Sequence, residues 1–567
     1  MTEYEFMRVI RLLEQTRMAY AHRIAIAEPD PTWQILVHLL RGHLRGQLVT
    51  MSSLATIDGF PKTTAMRRIH HLIEEGYIVR TPRSKTGKSY GLQPDQRLLD
   101  GFIDYANDVK SLLARTVGAR SDDDDVDSYY FGGTNPTGRL APPQALTEML
   151  TRTTLSIRFL VHHDNYFEAM RNVWSDFRTN LASRANFKML HLPYLRSALV
   201  ENGQQQRSAH DVVVLNMPWL GEAVAKDLIR PLDELLKQTQ IDPGSFNSLV
   251  WQSGRWRGRQ YGIPLYCTVE VFAVRKDLAS EAGIRGPQTF DETVDAAKRL
   301  NKPSVGRYGI LWNAGAGGPI ASSFMHMMGC CGQSVLNVPR NPVSYAADCL
   351  AGEQLRPCID GEAGREVLDY MHRLVEFSPP DILSTDSDMG VEGFLSGRAA
   401  MIYCWTMRAT RFEYEMKSVV RNQVAYLQPP RGSKGKSVSS FGGFLLAIPT
   451  NLDEDRARLA IQAVSWMSSP QGMGPTVRNG FPVAPAFSVS ADPEAMAGSP
   501  IISAVDTLAK KGCLQVWQRP AVPEFNALET VLGLEIHRAL RGECSDANAL
   551  RAAQDAVDRI MRKAGHY

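Results

Sequence analysis

Residues 211–220 read DVVVLNMPWL, and the run Val212-Val213-Val214-Leu215 within them sets the architecture of most of the chain. An unbroken apolar run of this length suits a strand buried on both faces, as in a parallel sheet covered by helices. Working outward, Leu155–Leu160 reads as a strand, followed by a loop at His162–Asn165 and a long helix over Tyr166–Ala182. Phe187–Leu190 reads as a second strand. Strand and helix then alternate to a C-terminal helix at Asp546–Ala564. Such alternation predicts an α/β body over residues 151–567.

Upstream of the body the texture breaks. Residues 121–128 read SDDDDVDS, followed by Gly132-Gly133 and Pro142-Pro143. A block of like charge repels itself and resists packing, so residues 119–150 are expected to form a linker. A chain of 567 residues is too long for one core, so several compact units are expected. Its 44% hydrophobic and 22% charged content is ordinary for a globular protein. No run is long enough to span a bilayer, so no membrane partner is expected. The acidic start, Met1-Thr2-Glu3-Tyr4-Glu5-Phe6, lacks a basic-then-apolar export pattern, which predicts a cytoplasmic protein. Eight scattered cysteines form no Cys-x-x-Cys pair and no zinc spacing, so free thiols, no metal site and no cofactor are expected.

The N-terminal 118 residues read differently. Residues 52–92, SSLATIDGFPKTTAMRRIHHLIEEGYIVRTPRSKTGKSYGL, predict a short helix, a Gly59 turn, a second helix opened by Pro61 and stopped at Gly76, and a hairpin. Ala65, Ile69, Leu72 and Ile73 fall at helical spacing and predict the inward face. Lys62, Thr63, Thr64, Arg67 and Arg68 are left facing outward, with Arg83, Lys85 and Lys88 at the hairpin tip. Between Arg41 and Tyr90 there are nine Lys/Arg against three Asp/Glu. That window is +6 within a chain of net +3. Basicity concentrated in this way fits phosphate binding, and these eight residues are the candidate DNA contacts. A solvated basic face is the plainer alternative.

This segment resembles the MarR-type winged helix-turn-helix regulators, through Thr63-Thr64-Ala65-Met66-Arg67 and Leu72–Arg80. The likeness departs at Ile73 and in the wing, where Lys85-Thr86-Gly87-Lys88 stands. It implies a winged-helix DNA-binding and dimerisation domain over residues 1–118, with helices at Glu3–Ala27 and Asp95–Val117, forming a homodimer on a double-stranded operator.

The body resembles the family 1 extracellular solute-binding proteins, the sugar receptors of ABC importers. The resemblance rests on the order of several segments: Asp211–Leu220, Leu228–Asp233, Tyr261–Leu278, Gln288–Glu292, Gly393–Met401 and Gly442–Pro449. It implies the two-lobed α/β fold of periplasmic binding proteins, with ligand held between lobes that close on it. Residues in loops after strands are then the cleft candidates: His163, Asp164, Asn216, Trp219, Tyr266, Glu270, Trp312, Asn313, Tyr403 and Trp405, with Gly442 and Gly443 admitting a close approach. Flat apolar rings suit sugars, which stack while their hydroxyls pair elsewhere. Each ring taken alone reads more readily as core than as a ligand platform.

Together the two resemblances predict a ligand-responsive transcriptional regulator sensing a small sugar-like effector. The alternative is a solute-binding receptor of an ABC importer. Enzymatic activity is not expected. His162-His163-Asp164 lacks a nucleophile or a third metal ligand, and Gly315–Gly318 lacks the phosphate-loop pattern.

Overall fold

The structure is a computed structural model. It describes residues 31–44, 49–56, 61–82, 90–116, 157–164, 166–167, 185–246, 248–339, 347–415, 417–469 and 500–567, with positions 6, 9–14 and 17. The expected linker, the Asp58–Phe60 turn, and Arg83, Lys85 and Lys88 lie outside these residues, as does nearly all of the helix expected at Tyr166–Ala182. The chain forms two compact units, one N-terminal and one built from Thr134–Glu413 and Ser418–Tyr567.

In the N-terminal unit, helices Pro31–Leu44, Met51–Ala55 and Lys62–Glu74 precede strands β1 (Ile78–Pro82) and β2 (Tyr90–Pro94) and a helix at Gln96–Thr116. Thr50 and Ser53 cap the short helix reciprocally. Ala65, Ile69 and Leu72 are buried on one face of Lys62–Glu74, and Ile73 packs partly buried against the same core. The helix ends where Gly76 takes φ +77°, a conformation that side chains disfavour. Lys62, Thr63 and Arg67 are exposed and Thr64 half-buried. Arg68 differs from its outward assignment, because its Nε donates to Thr32 Oγ1 at 2.8 Å. β1 and β2 pair antiparallel.

The body is built on one nine-stranded sheet with a small hairpin, β6 (Arg255–Trp256) and β7 (Arg259–Gln260), beside it. The sheet strands are β3 (Ile157–His162), β4 (Ala185–Leu190), β5 (Val212–Asn216), β8 (Ile263–Arg275), β9 (Tyr308–Leu311), β10 (Ala399–Trp405), β11 (Val424–Leu427), β12 (Ser439–Ala447) and β13 (Leu514–Gln515). Their order is β4-β3-β5-β12-β8-β10-β9, with β11 on β8 and β13 on β12. β3 runs parallel to β4 and β5, and Val212–Leu215 are wholly buried, as a doubly covered strand requires. Leu155 and Ser156 lie outside the described residues, and near its first described residue β3 is tied down by Asp211. Asp211 is 1% exposed and accepts from the Arg158 backbone and guanidinium, both at 2.8 Å, while Arg456 pairs with it from the other side.

Two long strands join the halves of this sheet. The first part of β8 pairs antiparallel with β12, and its last part with β10 and β11. β12 in turn continues to β5. β8 therefore starts in the β3-β4-β5 lobe and ends in the β9-β10-β11 lobe. Of its 13 residues only Arg275 is not buried.

Candidate functional site

Side chains alternate across a strand, so Tyr266, Thr268 and Glu270 point from one face of β8. At its first end, Tyr266 donates from its hydroxyl to Asp164 Oδ2 at 2.6 Å. His162 Nδ1 lies 2.9 Å from the same oxygen, and Asp164 Oδ1 accepts from the Phe167 backbone at 3.0 Å. Burial pushes the Asp164 carboxyl up, but the His162 and Tyr266 hydrogen bonds outweigh it and hold the group below its ordinary range. Burial and then the Asp164 charge push the Tyr266 phenol well above its ordinary value. Arg408, paired with Asp388, adds a positive charge near this cluster. In the middle of the strand, Thr406 Oγ1 accepts from the Val269 backbone at 2.9 Å and meets Thr268 Oγ1 at 3.3 Å.

The far end is arranged differently. Glu270 stands opposite Trp405 in the antiparallel register and is 2% exposed. Burial, opposed in part by Arg519, pushes its carboxyl up to about 8. His326 Nδ1 lies 3.5 Å from Glu270 Oε2, but burial and the Arg519 charge press the imidazole down to about 3. Both groups are neutral at pH 7, so this approach is not an ion pair. His326 Nδ1 instead meets Ser440 Oγ at 2.8 Å, and Gln518 Nε2 donates to the same hydroxyl at 2.9 Å. Arg519, 8% exposed, lies over the Trp405 ring at 5.4 Å and near Phe525 at 5.7 Å. Glu270 Oε2, Gln518 Oε1 and Arg519 Nε are buried without a hydrogen-bond partner.

The candidates named from sequence divide accordingly. Asp164, Tyr266, Glu270, Trp405 and Gly442 gather along the β8 face. Gly442 is so close that a Cβ there would sit 3.3 Å from the Trp405 ring and 3.5 Å from Arg519. Asn216 is half-buried at the end of β5, and Trp219, 5% exposed, closes the turn after it. His163 is exposed beside the His191 ring, and Asn313 is buried with its carbonyl accepting from Ser323. Trp312 and Tyr403 must be reassigned to the interior. Trp312 is fully buried and donates to Ser378 Oγ, while the Tyr403 hydroxyl meets that of Tyr370 at 3.0 Å and its ring packs on Phe272. Gly443 also answers to packing, since at φ +145° a Cβ would fall 2.2 Å from the Tyr266 carbonyl oxygen.

Sequence reasoning passed over His326, Gln518, Arg519 and Glu529. One signal was present: Arg519 is the only charge in Val516-Trp517-Gln518-Arg519-Pro520-Ala521-Val522, and a lone charge in an apolar run is buried for a reason.

A two-lobed sheet crossed by two strands, with aromatic and polar groups on the crossing, defines a solute-binding domain. Residues 197–474 match the family of bacterial extracellular solute-binding proteins, so the body carries a domain of that family. The chain is 27% identical over 390 residues to the mannitol-binding protein of Pseudomonas aeruginosa, covering 66% of this chain and 85% of that one. Its fold is similar to that of a ribitol-bound solute-binding protein from Agrobacterium radiobacter K84 (TM-score 0.65, 22% identity, 72% of this chain and 98% of that one). A D-mannitol-bound protein from Agrobacterium vitis S4 is similar to the same degree (TM-score 0.63, 21% identity, 72% and 99%).

These findings correct the functional expectation. The relatives are solute-binding proteins, and the family match lies wholly in the α/β body. The transcriptional-regulator reading is overturned, and Lys62, Thr63, Thr64, Arg67, Arg68, Arg83, Lys85 and Lys88 lose their assignment as DNA contacts. The operator partner goes with it, along with the reason for an operator-bound homodimer. The cytoplasmic placement is overturned as well, because the matched family is extracellular.

Proposed function

We propose that this protein is the solute receptor of an ABC importer, taking a sugar or polyol between the lobes of its α/β body and releasing it chemically unchanged. One observation carries the reading: the end of β10 presents the half-buried Trp405 ring, opposite Glu270 of the crossing strand β8 and beneath Arg519, at the junction of the lobes. A ring face with planar polar groups around it suits a ligand that has apolar C–H faces and hydroxyl edges. The kinship with a mannitol-binding protein supports a polyol. The element order of the N-terminal unit supports a winged-helix-like module appended to this receptor. Among the described residues no helix is long and apolar enough to cross a membrane.

Isothermal titration of the full chain with D-mannitol, ribitol, D-glucitol and maltose tests the reading. One of them is expected to bind with a one-to-one stoichiometry, and NMR of the recovered solute to find it unaltered. Failure of all four to bind or to raise Tm would overturn the receptor assignment, and turnover of the bound solute would overturn the absence of chemistry.

A further inference from the structure

We propose that Arg519, Glu270 and Glu529 form the hydroxyl-reading end of the ligand site, where adjacent hydroxyls of an uncharged polyol lying over Trp405 bridge the guanidinium to the carboxyls. The proposal rests on the receptor reading and names the groups that choose the ligand. Two of them, Arg519 and Glu529, lie beyond residues 197–474, the span of the family match.

The argument begins with what these groups lack. Among the described residues the Arg519 side chain has no hydrogen bond and no carboxylate within salt-bridge distance, although it is 92% buried. Its Nε is wholly enclosed and unpartnered. Glu270 Oε2 is in the same condition. The Glu529 carboxyl, beside Gly318 at the start of the helix Gly318–Cys330, also has no hydrogen-bond partner among the described residues. Burial raises Glu529, and Arg519 is the foremost charge opposing the rise. Arg519 likewise opposes the rise at Glu270. One guanidinium is therefore close enough to feel both carboxyls and too far to bond either.

Buried polar groups are ordinarily satisfied, and unsatisfied ones ask for an explanation. A guanidinium only donates, an ionised carboxylate only accepts, and the protonated Glu270 carboxyl can do either. A hydroxyl does both: its oxygen accepts from Arg519 while its proton goes to a carboxyl. Two adjacent hydroxyls match the planar guanidinium fork. Gly442 leaves the room, since even one Cβ there would press on Trp405 and Arg519. An aldonate of the same length would satisfy Arg519, yet it would bring its own charge against Glu529 and into a pocket whose burial disfavours charge. Neutral alditols are therefore preferred over their oxidised acids.

Titration calorimetry at pH 7 on the full chain, with D-mannitol, ribitol and D-gluconate as probes, separates the outcomes. Wild type is expected to bind an alditol at least tenfold more tightly than gluconate. R519Q is expected to weaken alditol binding at least thirtyfold and E270Q about tenfold, with Tm kept within a few degrees. If R519Q fails to fold, R519K retains the charge without the fork and is expected to lose about tenfold. Alditol binding with unchanged affinity in the variants, or tighter binding of gluconate, overturns this proposal and leaves the receptor reading standing. A wild type that binds none of the probes overturns both.

Discussion

The two ends of β8 carry polar clusters of similar composition and opposite character. At the Tyr266 end, both Asp164 oxygens are occupied, by His162, Tyr266 and the Phe167 backbone. At the Glu270 end, a carboxyl oxygen, an amide oxygen and a guanidinium nitrogen are buried with nothing to bond. An unmade bond of this kind costs about 1–3 kcal/mol, and a fold that carries three in one place is storing that cost for a partner. The closed cluster holds the lobe junction in shape. The open one is where a solute contributes.

If that contrast holds, breaking the closed cluster damages folding, and altering the open one does not. The largest effect is expected for Asp164→Ala, which strips His162 and Tyr266 of their shared partner and removes one of the negative charges near Arg408. Removing one member of a buried, charge-assisted set costs about 3–5 kcal/mol, measurable by denaturant titration at pH 7. A loss under about 1 kcal/mol would break the comparison.

Glu270→Gln is expected to act in the opposite direction, and only at higher pH. The folded carboxyl titrates at about 8 against an ordinary 4.5. Between those values the native state holds a proton that the unfolded chain has released, so wild-type stability falls as pH rises through the window. Glutamine has no proton to lose. The variant should match wild type below pH 4.5 and gain on it toward pH 8, at about 1.4 kcal/mol for each pH unit. A constant difference between the two Tm curves from pH 5 to 9 would show that Glu270 does not titrate as described.

The adjacent glycines on β12 sharpen the same contrast. A Cβ at Gly443 meets the Tyr266 carbonyl at 2.2 Å from a backbone at φ +145°, so Gly443→Ala is expected to cost about 2–3 kcal/mol in folding. At Gly442 the Cβ meets only the outer atoms of Trp405 and Arg519, which can yield. Gly442→Ala should change stability by less than about 1 kcal/mol and reveal itself in solute affinity. Equal stability losses at the two positions would erase the distinction.

Much of this architecture was legible because burial leaves a pattern in one strand at a time. Val212–Leu215 declared a doubly covered strand. The C-terminal helix starts at Asp546, as expected, because Ser545 caps it. The alternation of β8 put Tyr266 and Glu270 on one face. Arg519 and Glu529 were not legible as site residues, because they reach the site from a segment about 250 residues downstream and no local period links them to β8. Trp312 and Tyr403 were misassigned for a related reason: an aromatic near the end of a strand looks the same whether the pleat turns it toward the cleft or the core. The basic helix Lys62–Glu74 misled in another way. Its exposed cations invite a partner in the reading, but surface charge alone does not name one.

Within the closed cluster the smaller effect is expected for Tyr266→Phe, and its pH dependence tests whether the cluster works as a network. The substitution keeps the ring against Phe444 and Tyr166 and removes one hydrogen bond to an ionised carboxylate, worth about 1–2 kcal/mol. Since the Tyr266 bond helps hold Asp164 below its ordinary 3.8, its loss lets that carboxyl rise toward the ordinary value. A depressed carboxyl contributes stability above its unfolded pKa and loses it as pH falls through the folded one. The deficit of Tyr266→Phe should therefore be full at pH 6 and shrink as the medium is acidified below about 4. A deficit unchanged down to pH 3 would mean that the phenol stabilises the fold by packing alone, and the closed cluster would then be a set of neighbours without a shared charge.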